Sequence, residues 1–226
     1  MIFKDRTTAA QQLAVCLGRY NGQNPLIMAL PRGAVPMAKI IADELHGELG
    51  VILARKISLP GHEEYAIGAV SEGGFVYHNP DVAGYHIPES LFKQALNRQL
   101  ALIEERRRAY RLDQLKLNPA DRIIILIDDG IATGSTVFAA IKSLRAQNPA
   151  KLIVAAPVAP PDTARKLEQE VDELIILDQP PHFHAVAQFY ENFDEVTDQD
   201  VMNALWGSRP PNARSRQPEP VIHPVH

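Results

Sequence analysis

The chain is poor in cysteine, in long apolar runs and in net charge, and each shortage removes a class of protein. Cys16 is the only cysteine of 226 residues, so no internal disulfide framework exists and the composition suits a reducing compartment. Core packing is the role expected of it. No apolar stretch reaches the eighteen or so residues of a membrane span. The amino-terminal Met-Ile-Phe-Lys-Asp-Arg lacks the apolar centre of a signal peptide. A formal net charge of -4 argues against nucleic acid as the main partner. Together these point to a soluble cytoplasmic protein with neither a nucleic-acid nor a membrane partner. The 46% hydrophobic and 22% charged residues are ordinary for a globular domain, and no internal repeat or coiled-coil pattern is present.

What is there alternates between buried strands and helices. Thr7 or Thr8 is expected to cap a first helix that buries Leu13, Val15, Cys16 and Leu17 and stops near Asn21-Gly22. Residues 25–30 read as a strand, 34–45 as a helix and 49–54 as a second strand, which is a βαβ unit. A polar loop over 57–65 and a hairpin of 66–70 with 75–77 around Glu72-Gly73-Gly74 follow. Pro88-Glu89-Ser90 opens a long polar helix to about Asp113, whose expected buried face is Leu91, Phe92, Ala95, Leu96, Leu102 and Ile103. Further on, strands at 123–127, 152–156 and 173–177 alternate with helices at 135–147 and 162–170, and a last helix covers 198–206. Residues 1–206 are expected to be one domain, with an insertion over about 72–118 and a hood over about 157–206. The proline-rich 207–226 is expected to be an extended or disordered tail.

The chemistry concentrates in Ile123-Ile-Ile-Leu-Ile-Asp-Asp-Gly-Ile-Ala-Thr-Gly-Ser-Thr136. Five apolar residues form a strand covered on both faces, and Asp128 and Asp129 stand at its carboxyl end, where open α/β sheets bind ligands. Gly134 lets backbone approach an anion, while Thr133, Ser135 and Thr136 add hydroxyls at a helix amino terminus that favours phosphate. No Walker lysine follows the glycine. Leu30-Pro31-Arg32-Gly33-Ala34 makes a similar turn after the first strand, and Arg55-Lys56 follows the second. Three strand ends thus direct anion-binding groups at one crevice.

This run resembles the signature of the type I phosphoribosyltransferases, which use 5-phosphoribosyl 1-pyrophosphate (PRPP). The resemblance covers about residues 25–160. It implies an α/β fold, a Rossmann-like parallel sheet flanked by helices, with an inserted hairpin plus long helix and a small C-terminal hood. It implies that Asp128 and Asp129 are catalytic and bind the two ribose hydroxyls, carboxylates being acceptor-only partners for a diol. Ala132, Thr133, Gly134, Ser135 and Thr136 would wrap the 5-phosphate, and Arg32, Gly33, Arg55 and Lys56 would hold pyrophosphate. A non-proline cis peptide would fall between Pro31 and Arg32. The place of the family's flexible lid is taken by residues 58–65, where Glu63, Glu64 and Tyr65 are candidates to touch substrate and Glu64 is counted as catalytic. Magnesium is the implied cofactor, near Asp128 and Asp129 and bound in part through PRPP.

The implied reaction moves the phosphoribosyl group to a nitrogen acceptor such as a nucleobase, a step of nucleotide metabolism, with release of pyrophosphate. The alternative is a regulator that senses PRPP or nucleotides without turnover. A homodimer is compatible with either. Val158, Ala159, Phe183, Val186 and Tyr190 are the acceptor-binding candidates, because a base needs an apolar or aromatic face. Ala132 stands where the hypoxanthine-guanine enzymes carry aspartate, and Gly130 where most members have a branched apolar residue, which marks a divergent branch. His182-x-His184 offers two metal ligands without a third. The run Glu104-Glu105-Arg106-Arg107-Arg108 reads as a solvated helix face with i,i+4 pairs, and Trp206 as a packing anchor. A receiver-type phosphoacceptor is disfavoured, since the acidic pair comes too late in the chain.

Overall fold

In the computed structural model of the chain, residues 1–59, 62–82 and 87–207 are described. Five strands, β1 (Leu26–Ala29), β2 (Glu48–Val51), β6 (Ile123–Ile127), β7 (Lys151–Val158) and β8 (Glu173–Asp178), form an all-parallel sheet in the order β2-β1-β6-β7-β8. Their period-2 alternation divides the interior in two. Ile27, Ala29, Ile125, Ile127, Ile153 and Ala155 face one core, shared with α1 (Arg6–Cys16) and α2 (Ala34–Leu45). Leu26, Met28, Ile124, Leu126, Leu152 and Val154 face the other, closed by α4 (Ser135–Arg145) and α5 (Pro161–Glu168). Helices on both faces explain why these strands read as unbroken apolar runs.

A second sheet of β3 (Ala54–Leu59), β4 (His62–Ser71) and β5 (Val76–His78) is antiparallel, with Ile57 opposite Gly68 and Ala69 opposite Tyr77. The hairpin expected around Glu72-Gly73-Gly74 is therefore present. The polar loop expected over 57–65 is not: residues 57–59 and 62–65 are strand, and residues 60 and 61 lie outside the described residues. Hydrogen bonding along the hairpin, rather than an apolar pattern, makes these residues strand. For the same reason the strand expected over 49–54 is two pieces, since Ala54 pairs with Ser71 in the second sheet.

The long helix α3 is Glu89–Ala109, with a 3-10 turn at Leu112–Gln114 ending the stretch expected to be helical to Asp113. Ala95 and Ile103 are buried and Phe92, Leu96 and Leu102 half-buried, whereas Leu91 is exposed. The last helix, α6 (Asp198–Trp206), occupies the span expected of it, capped by Thr197. It docks on the end of α3: Trp206 Nε1 donates to the Tyr110 carbonyl at 3.0 Å, and the Tyr110 hydroxyl donates to Asp198.

Helix α1 differs from expectation at its start and on one face. Asp5, not a threonine, caps it by accepting from the Thr8 amide at 2.7 Å, and the α-helix stops at Cys16, before a 3-10 turn at Gly18–Tyr20. Leu13 and Leu17 are buried, but Val15 and Cys16 are exposed, so the cysteine is not a core residue. Among the described residues, no helix is long and apolar enough to cross a membrane.

Candidate active site

The chain leaves β1 for β2 on one side and returns for β6 on the other, so the sheet's switch point lies between β1 and β6. In open α/β sheets ligands bind outside the carboxyl ends at such a point. The two loops singled out in the sequence, 31–33 after β1 and 128–134 after β6, are brought side by side at that point. The Pro31–Arg32 peptide is cis, in the position the resemblance implied. Gly33 is pressed against the acidic pair: a Cβ placed on it would lie 1.8 Å from Asp129 Oδ2. Only glycine lets the loop pass so close.

Asp128 and Asp129 follow β6 directly. Asp128 Oδ1 accepts from the Asp129 amide at 2.9 Å. Burial of its carboxyl group, and then the neighbouring charge of Asp129, push Asp128 well above the usual carboxylate range. Asp129 has a partner the sequence did not disclose. Arg6 Nε and Nη2 both lie 2.8 Å from Asp129 Oδ2. Arg6 is fixed in turn by Nη1 donating to the Asp194 carbonyl at 2.6 Å and by its guanidinium lying 3.8 Å over the Phe193 ring. No pattern marks Arg6 in the sequence, because it is the first residue of an ordinary helix 123 positions from its partner.

Arg6 is delivered by the hood. The chain start runs beside residues 189–192: the Phe3 amide donates to the Phe189 carbonyl and the Glu191 amide to the Phe3 carbonyl, both at 2.8 Å. Tyr190 is buried, and its hydroxyl donates to the Asp129 carbonyl at 2.6 Å. That burial, reinforced by Asp129, raises its phenol above the ordinary range. Phe183 packs at a tilt on Phe189 with centroids 5.0 Å apart, and Tyr190 on Phe193 at the same distance and tilt. Val186 sits over Gly130, where a Cβ would lie 2.3 Å from Val186 Cγ1. This contact is a physical reason for glycine in place of a branched residue. Of the acceptor candidates, Phe183, Val186 and Tyr190 belong to this segment around residues 183–193, whereas Val158 and Ala159 are fully buried in the core.

After the acidic pair, Gly134 has φ of +74° and starts α4. The Thr133 and Ser135 hydroxyls are 3.2 Å apart, and the Ala132 carbonyl accepts from Thr163 Oγ1 at 2.8 Å, which ties the loop to α5. The free amides at the start of α4 face the crevice end of the sheet. Arg32 Nη2 is 2.6 Å from Glu195 Oε1, an exposed pair. Arg55 and Lys56 begin β3, and Arg55 Nε donates to Gln99 Oε1 on α3 at 2.8 Å. The side chains of Glu63, Glu64 and Tyr65 lie outside the described residues. His182 and His184 are exposed, and among the described residues no group of three or more metal-ligating side chains forms. In the charged run, Arg107 bonds to Asp113 and reaches Glu72 at 3.3 Å; the i,i+4 pair of α3 is instead Glu89 with Lys93.

A parallel sheet covered by helices, with an acidic pair at its switch point between two amide-rich turns, defines a Rossmann-like α/β protein. Comparison with known proteins narrows this to a family. The model of the phosphoribosyl transferase domain matches residues 4–194, and the chain belongs to that family, in its type I form. Two Mycobacterium tuberculosis proteins, from strains CDC 1551 and H37Rv, are each 35% identical over 205 residues, covering 90% of this chain. Their names assign them provisionally to the phosphoribosyl transferases. The chain spans 46% of the length of each of these curated relatives. The crystal structure of TT1426 from Thermus thermophilus superposes with a TM-score of 0.77 at 37% identity, covering 91% of this chain and 98% of that one.

Proposed function

We propose that the protein transfers the 5-phosphoribosyl group of PRPP to a nitrogen acceptor, with release of pyrophosphate. The observation that carries this reading is the contact of Gly33 with Asp129, which sets one anion-binding loop against the acidic pair while the pair runs directly into the other. A ligand bearing a diol between two phosphorylated ends matches that order. In this reading the ribose hydroxyls donate to Asp128 and Asp129. The turn 132–136 takes the 5-phosphate, and Arg32, Gly33, Arg55 and Lys56 take pyrophosphate. Residues 1–206 act as one domain.

During transfer the bond from C1 to the pyrophosphate oxygen breaks, the bond from C1 to nitrogen forms, and positive charge develops on the sugar. Asp128 and Asp129 stabilise that charge and hold the ribose; they are not nucleophiles. Glu64, on the β3–β4 hairpin, is the lid residue assigned to the catalytic group. The donor set also fits magnesium, which takes all-oxygen sites from one or two carboxylates and substrate phosphates. Binding of a divalent ion would offset the burial and the neighbouring charge that raise Asp128. Such an ion supplies charge neutralisation of the leaving pyrophosphate. The aromatic hood of Phe183, Phe189, Tyr190 and Phe193 suits a planar acceptor, which favours a nucleobase. The setting proposed is cytoplasmic nucleotide metabolism, without nucleic-acid or membrane partners and with a homodimer as the candidate assembly.

The test is calorimetric titration of PRPP with magnesium, followed by a screen of purine and pyrimidine bases for pyrophosphate release. Release with one base class supports the enzyme and names its acceptor. Binding without release from any base moves the reading to a PRPP sensor, and absence of binding removes it. Asp128→Asn is the cleaner control, because Asp129 also holds the Arg6 ion pair. It should abolish PRPP binding with the urea midpoint no lower than that of the parent.

A further inference from the structure

The inserted helix α3 has entered the site so far only through Gln99, which holds Arg55, yet it also walls a cleft that reaches Thr136. Strand β3 is at the edge of its sheet, and α3 packs against it through Ile57, Ala95 and Ile103. Between them and the start of α4 lies a cleft of about 360 Å³ whose polar lining is Arg55, Lys56, Ser58, Arg98, Gln99 and Thr136. Three cations from two separate elements therefore converge beside the last residue of the loop that begins α4.

Among the described residues Arg55, Lys56 and Arg98 have no carboxylate partner, whereas Lys93 and Arg107 of the same helix are paired with Glu89 and with Glu72 and Asp113. Arg55 is held through Nε by the neutral Gln99 amide oxygen, which orients the guanidinium without cancelling its charge and leaves its Nη donors for another acceptor. Burial and the nearby Arg106 weaken its hold on the proton, as unscreened like charge would. Surface cations that serve only solubility have no reason to be gathered in a concavity, since their mutual repulsion there is least screened.

We propose that α3 completes the polyanion site, with Arg98 a further phosphoryl-binding residue that grips pyrophosphate together with Arg55 and Lys56. The inference rests on the PRPP reading above and extends it to a residue on the inserted helix. Arg98 is exposed on a helix surface, so its replacement does not threaten folding. The bonds at stake are charge-assisted and number one or two, which corresponds to roughly a tenfold to hundredfold change in affinity.

The experiment titrates inorganic pyrophosphate, with magnesium, into the full chain and into Arg98→Gln, Arg98→Lys and Arg108→Gln. Arg98→Gln should raise the Kd at least tenfold, with Arg98→Lys recovering part of the loss. Arg108→Gln, which removes the same charge elsewhere on α3, should stay within twofold. Equal effects of Arg98→Gln and Arg108→Gln would reduce the role to bulk charge and overturn the proposal. In a parallel titration with ribose 5-phosphate, a loss seen there and not with pyrophosphate would overturn the assignment to the pyrophosphate end. If the parent protein binds neither pyrophosphate nor PRPP, the functional reading itself falls; if it binds both and Arg98→Gln is silent, only the inference does.

Discussion

Replacing Arg6 by methionine separates a structural from an incidental role for the ion pair that holds Asp129. Methionine keeps an unbranched apolar side chain but removes the hydrogen bond and the ion-pair contact to Asp129 Oδ2, the bond to the Asp194 carbonyl and the guanidinium over Phe193. The Arg6 and Asp129 side chains are 14% and 18% exposed. Breaking a fully buried pair costs about 3–5 kcal/mol, and residual solvent contact reduces the cost here to about 2–3 kcal/mol. Most of that is the penalty of an uncompensated carboxylate, so Asp129→Asn added to Arg6→Met should restore part of it. A double-mutant cycle read by urea unfolding at neutral pH should give a coupling of about 2 kcal/mol, well beyond the ~0.5 kcal/mol scatter of independent sites. Additive single effects would refute the view that Arg6 and Asp129 act as a unit.

Two further outcomes follow from local geometry. Gly130→Ala would place Cβ 2.3 Å from Val186 Cγ1, so it should lower stability by about 1–3 kcal/mol and displace the hood; adding Val186→Ala should recover much of the loss, as measured by denaturant midpoint and by PRPP affinity. Glu72 tests the pH dependence. Its Oε1 is buried without a hydrogen-bond partner, and burial outweighs the attraction of Arg107, raising its pKa. A raised acid favours the folded state below its unfolded pKa, about 4.3, and that advantage is lost as pH rises through the folded value. Glu72→Gln should therefore gain on the parent as pH goes from 4 to 7 in unfolding titrations. A constant difference across that range would show that Glu72 titrates alike in the folded and unfolded states and would refute the upward shift.

The parts of the molecule legible in the sequence are those in which neighbours along the chain are also neighbours in function. Residues 123–136 carry strand, acidic pair, turn and helix start without interruption, so the periodicity of the strand and the chemistry of the turn place Asp128, Asp129 and Gly134 together. The same locality made the Arg32-Gly33 turn and the limits of α6 readable. The β3–β4 hairpin was not readable, because its polar residues are strand by virtue of pairing with one another, and a loop has the same composition. Exposure of Val15 and Cys16 depends on which face of α1 meets the sheet, which a weakly patterned helix does not declare.

Short-range pattern and backbone chemistry were enough to specify the parallel sheet and the acidic strand end. Packing in three dimensions was needed to bring Arg6 to Asp129, Val186 to Gly130, Tyr190 to the acidic turn and Arg98 to Arg55 and Lys56. These contacts join segments tens to more than a hundred residues apart. Their formation is set by how the hood, α1 and α3 pack on the sheet, a consequence of burying apolar faces that are indifferent to which charged residues they carry along.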